Sequence, residues 1–139
     1  MLSIDLVKLI RPYLYNNLYN RQDAMINMMN DIKETGVCTE PSISYYPYCI
    51  HIPLKKVYCK EKTISRLSSE LSPMINLIVF KSLVRYQYIA INAISDIISK
   101  YKLNINPMEM YQYVLQNVAY LYTYNLIPSP KGYTIQINL

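Results

Sequence analysis

Only two of the 139 residues are glycine, Gly36 and Gly132. Glycine lets a backbone approach a phosphate closely or turn through positive φ without a steric penalty. Dinucleotide and phosphate-loop fingerprints need several glycines at fixed short spacings, so neither can be written with this pair. Collagen-like repeats are excluded on the same ground. Material for acid–base chemistry is also scarce. There is one histidine, His51, and nine carboxylates are spread along the chain. No nucleophile–base pairing, carboxylate dyad or phosphate loop is visible, and the expectation is a protein that is not an enzyme.

The length suits a single domain over residues 1–139, and a hydrophobic share of 52% is enough to build a core. Isoleucine, tyrosine, asparagine and lysine together supply 57 residues, including 16 tyrosines. Their codons are AT-rich, which points to an AT-rich genome such as that of a virus, an archaeon or a parasite. The N-terminus has Asp5, Lys8 and Arg11 inside its apolar stretch, so no signal peptide is expected. The longest apolar stretch, Met74 to Ile98, is interrupted by Lys81, Arg85 and Asp96, so no membrane span is expected either. These features suggest a soluble protein of the cytoplasm (the host's, if viral) or a component of a particle. The net charge of +5 is unevenly placed: residues 103–139 hold only Glu109 and Lys131.

The chain reads as α+β, mostly helical, with three to four helices, a long central helix and a small antiparallel sheet. Ser3 and Asp5 can open a first helical turn. From Pro12, Leu14, Leu18, Met25, Met28, Met29 and Ile32 predict an amphipathic helix to Glu34, ended by Gly36. Pro41, Pro47 and Pro53 exclude a long helix over 37–62 and leave short strands over 43–60, with a hairpin turn near Pro53–Lys55. Thr63 can cap a short helix to Leu71. Ser72–Pro73 then looks like a fresh start for a helix to Lys102, with Leu77, Val84, Tyr88, Ile91 and Ile98 on one face. Phe80, Leu83, Ala90, Ile94 and Ile97 lie on another face, and a helix apolar on most sides is expected to be central. Asn106–Pro107 opens a helix to about Asn125. After Gly132, Tyr133, Ile135, Ile137 and Leu139 alternate with polar residues as in a half-buried strand. That strand could pair with the 48–60 hairpin or fold back on residues 125–128.

Three regions are candidates for function. Cys38, Cys49, His51 and Cys59, all the cysteines and the only histidine, fall within 22 residues. Cys₃His is an accepted zinc set, and a structural zinc would brace this proline-rich stretch. The spacing lacks the usual C-x-x-C knuckle. Buried free thiols, or a Cys49–Cys59 disulfide across the predicted hairpin, are alternatives.

The second region is basic and aromatic: Lys55, Lys56, Lys60, Lys62 and Arg66, with Tyr45, Tyr46, Tyr48 and Tyr58 interleaved. Cations track phosphates and tyrosine faces stack on bases, so nucleic acid is one expected ligand. The plainer reading is a hairpin edge kept soluble by lysine. The helix predicted from Pro107 to Asn125 contains no Lys or Arg, which counts against a helix seated in a DNA groove.

The third region is that same uncharged helix, where Tyr113, Asn117, Tyr120 and Tyr124 form a stripe suited to a protein partner or a second copy. The combined expectation is a small non-catalytic binding or regulatory factor, viral or from another AT-rich genome, acting on host nucleic-acid machinery or on nucleic acid. The alternative is a self-assembling structural protein, such as a virion component, that associates through the uncharged helix.

Overall fold

The computed structural model describes residues 2–45, 48–55, 64–130 and 132–139. The fold is α+β and mostly helical, with a long central helix and a small four-stranded antiparallel sheet. Helix α1 (Ile4–Leu14) opens where Ser3 Oγ accepts the Leu6 N–H at 3.4 Å, with Asp5 in the first turn. Val7, Ile10 and Leu14 form its buried side. Pro12 does not stop this helix, although it lacks a backbone donor. The chain continues through a π-helical turn at Tyr15–Tyr19 and breaks at Asn20–Arg21.

The single helix expected from Pro12 to Glu34 is therefore two. Helix α2 (Gln22–Glu34) starts afresh and buries Ala24, Met25, Met28 and Ile32. The asparagines explain the interruption. The Asn17 and Asn20 side chains each donate at 2.8 Å to backbone carbonyls four residues back, those of Tyr13 and Asn16. Side chains that bond locally in this way compete with regular helix. Gly36, at φ +75°, ends α2 as the sequence suggested.

Strands β1 (Ser42–Tyr45) and β2 (Tyr48–Pro53) pair in the register Ser42↔His51 and Ser44↔Cys49. The strand that pairs with β2 thus precedes it, and the other edge of β2 is taken by the last strand of the chain, so β2 is not the first arm of a hairpin turning at Pro53–Lys55. Beyond Pro53 the chain still follows the sheet, since the Leu54 N–H bonds Tyr133 O at 2.9 Å.

Helix α3 (Ile64–Arg85) passes through Pro73 without a break, and Ser72–Pro73 is not a helix start. The continuous inward row Leu67, Leu71, Ile75, Ile78 outweighs that local signal. By length and composition α3 is apolar enough to cross a bilayer, and here its inward side is core. The break comes at Tyr86, after which α4 (Gln87–Lys100) buries Ala90, Ala93, Ile94 and Ile97.

Helix α5 (Pro107–Gln116) begins as expected. Asn106 Oδ1 accepts the N–H groups of Met108 at 2.8 Å and Glu109 at 3.3 Å, and Pro107 fills the first helical position. It ends nine residues earlier than the expected Asn125. Asn117 leaves helical geometry at φ −128°, a 3₁₀ turn follows at Val118–Tyr120, and residues 123–129 become strand β3 (Thr123–Ser129). Pairing decides the matter: β3 lies along β4 (Gly132–Asn138) over its full length. A run of β-branched and aromatic residues takes whichever state its neighbours complete.

The sheet order is β1-β2-β4-β3, so both pairings considered for the last strand occur. Its inner face carries Ile43, Ile50, Ile52, Tyr124, Leu126, Ile135 and Ile137 against the helices. One contiguous apolar core runs from Val7 to Leu139.

Candidate interaction surface

Among the described residues, Cys38, Cys49 and His51 do not converge. Cys49 and His51 alternate with Ile50 and Ile52 along β2, so they point to the outer face of the sheet. Cys38 packs in the core that takes in Ile50 and Ile52. Burial pushes its thiol pKa up. The cross-strand neighbours of Cys49 are Ser44 and Asn138, which removes the expected pairing opposite Cys59. Its Sγ lies 3.2 Å from Asn138 Oδ1 and 3.5 Å from the Gln136 amide. Cys59 lies outside the described residues. Among the described residues Cys38 and Cys49 are free thiols, and no three His, Cys, Asp or Glu side chains gather as metal ligands.

Most of the basic, aromatic hairpin also lies outside the described residues, namely Tyr46, Lys56, Tyr58, Lys60 and Lys62. Tyr45 and Tyr48 close the β1–β2 register. Lys55 and Arg66 are exposed, and Arg66 pairs with Glu70 one turn along α3 at 3.8 Å.

The tyrosine stripe 113–117–120–124 is not one helical face, because α5 ends at Gln116. Tyr113 is half-buried on α5. Asn117 caps that helix, its amide donating to Tyr113 O at 2.9 Å. Tyr124 belongs to β3 and points inward, where its hydroxyl meets Ser68 O at 2.9 Å and Ser72 Oγ at 2.7 Å. Two neighbours are satisfied by the same helix. Tyr122 donates to Asn76 Oδ1, and Tyr111 donates to Leu83 O at 3.0 Å. Burial raises the Tyr122 hydroxyl to about 12, helped by the nearby Tyr124. The hydroxyls of Tyr111, Tyr122 and Tyr124 are thus each paired along α3.

The surface that the sequence reading did not single out is the outer side of α3. Leu77, Phe80 and Val84 recur at helical spacing with 53%, 38% and 47% of their area exposed. Tyr88, in the first turn of α4, is 78% exposed. Phe80 forms a ridge between two clefts. One, of about 400 Å³, is closed by Leu77 and Asn76 on α3 and by Leu115 to Tyr120 opposite. It contains two of the expected interface residues, Asn117 and Tyr120, and the Lys8 ammonium sits 5.9 Å from the Tyr120 ring centre.

The other cleft, of about 460 Å³, lies between α2 and α3 and is lined by Asp31, Glu34, Lys81, Val84 and Arg85. Its floor is an ion pair: Arg85 reaches the buried Asp31 carboxylate with two bonds, at 3.1 and 3.3 Å. That contact holds the guanidinium pKa above its ordinary value. The ridge draws on both apolar faces read from the sequence, Leu77 and Val84 from one and Phe80 from the other. No protein-family model matches the chain, and no curated protein or solved structure shows significant similarity to it.

Proposed function

We propose that this protein is a non-catalytic binding module that takes an amphipathic segment of a protein partner on the outer side of α3. One observation carries the reading: Leu77, Phe80 and Val84 are exposed together on a helix whose opposite side is core. Single exposed apolar residues are ordinary, whereas an apolar row set between clefts marks a surface suited to burial. Phe80 is the anchor, since aromatic residues beside pockets tend to dominate interface energies.

The neutral cleft suits an apolar side chain of the partner. The cleft bearing Asp31 and Glu34 beside Lys81 and Arg85 suits charges of both signs. A lipid surface or a phosphate backbone would instead favour a rim of cations alone. A viral regulatory factor, one of the sources an AT-rich composition allows, would use such a ridge to hold a host protein.

A photo-crosslinking residue placed at Leu77 should trap one defined protein in the cells that make this chain. Phe80→Asp should remove that adduct without shifting thermal unfolding. Adducts that form equally from a probe at exposed Ser99, or that survive Phe80→Asp, would sink the reading.

A further inference from the structure

We infer that the free edge of β3 is the seam of a two-fold dimer, in which β3 of each protomer pairs antiparallel with β3 of the other. The two four-stranded sheets would join there into one continuous sheet. This inference is independent of the α3 ridge.

The backbone sets the pattern. Ser129 and Gly132 face each other across two linking residues, and such a tight turn closes by hydrogen bonds between those flanking residues themselves. In an antiparallel pair the bonded positions then alternate. Thr123, Asn125, Ile127 and Ser129 turn their backbone groups to β4, and Tyr124 and Leu126 turn theirs outward. The bond from the Leu54 N–H to Tyr133 O fixes the same parity on the far side of β4. Among the described residues nothing bonds the outward N–H or C=O of Tyr124 or Leu126. Pro128, the next outward position, has no N–H, so a ladder cannot extend past it symmetrically.

An open row of donors and acceptors calls for an extended strand, and the sequence of β3 favours its own copy. A two-fold axis at Asn125 sets Tyr124 opposite the partner's Leu126, and each of the two pairs exchanges both N–H···O=C bonds. Every outward group up to Pro128 is then used. The strand carries no charge, so self-pairing brings no like charges together. On the inner face Tyr124 would lie beside the partner's Leu126. On the outer face Ile127, 41% exposed, would lie beside the partner's Thr123, and the two Asn125 amides would meet on the axis.

Sedimentation of the full chain tests this with charge. Asn125 is exposed, so the fold tolerates lysine or glutamate there. Wild-type protein should be dimeric. Asn125→Lys and Asn125→Glu should each weaken the dimer by about tenfold or more, through like charges directly opposite. An equimolar mixture of the two variants should restore it as a heterodimer, a result that misfolding cannot produce. Hydrogen exchange adds a second readout, in which the Tyr124 and Leu126 amides become protected as protein concentration rises. A wild type that stays monomeric to its solubility limit overturns the inference. So does a dimer indifferent to both charges, or one dissolved by Phe80→Asp instead.

Discussion

The abundance of tyrosine has a structural use that codon bias alone does not supply. Down one side of α3, Ser68, Ser72 and Asn76 stand at four-residue intervals and face the end of the chain. Tyr124 and Tyr122 reach that row with their hydroxyls, and Tyr111 reaches the Leu83 carbonyl farther along. Each ring buries apolar area while its hydroxyl finds a hydrogen-bond partner on α3, which phenylalanine could not match. Tyr124→Phe removes a hydroxyl with two partners and should cost about 1–2 kcal/mol. Tyr120→Phe, at a ring that is 45% exposed, should cost nothing measurable. Urea unfolding of the two variants side by side checks the difference. Equal losses would mean that the α3 row does not anchor the C-terminal hairpin.

At the scale of elements, the instructive residues are the prolines. Ser72–Pro73 has the form of a helix start, and Asn106–Pro107 has the same form, yet only the second one acts as a start. The difference lies upstream. Residues 64–71 already present Leu67 and Leu71 in line with Ile75 and Ile78, so continuing the helix buries more than restarting it. Before Pro107, no such row precedes the cap. Pro73 is therefore tolerated inside α3, where it leaves the Ser69 carbonyl without its i+4 donor. Pro73→Ala should raise stability by about 1 kcal/mol or more, because position 73 is exposed and alanine restores that donor. A higher urea midpoint is the expected result. A lower one would show that α3 needs proline at position 73.

The same balance explains what was legible in the chain. The α+β class, the stop at Gly36, the start at Asn106 and the alternating strand after Gly132 rest on local chemistry, and each could be read directly. The end of α5 could not, because Tyr111, Leu115, Val118 and Tyr122 keep helical spacing past Gln116, and only pairing with β4 draws residues 123–129 into a strand. The α3 ridge stayed hidden for a related reason. Its residues fall on two apolar faces in the sequence, Leu77 and Val84 on one and Phe80 on the other, but whether a face is covered depends on where the other helices pack.

For the whole molecule, the last strand is the closure. The β1–β2 hairpin and strand β3 do not touch as neighbours, since β4 lies between them and pairs with both. The register Ile50↔Ile137 and Ile52↔Ile135 spans most of the chain, so the sheet cannot complete until the C-terminal residues are in place. The N-terminus is tied to the same point, where Arg11 donates to Asn138 O at 3.2 Å and Leu139 is buried. Removing residues 132–139 would strip Ile135, Ile137 and Leu139 from the core and separate the two halves of the sheet. Burying two or three aliphatic side chains is worth about 1.5–3 kcal/mol each, a large part of the net stability of a domain of this size. The truncated chain should keep helical circular dichroism from α3 and α4 but lose a cooperative thermal transition. In the full chain, the Ile135 and Ile137 amides, which bond β2, should exchange only through global unfolding. If those amides exchange as fast as the β1 amides, β4 is not the strand that closes the fold.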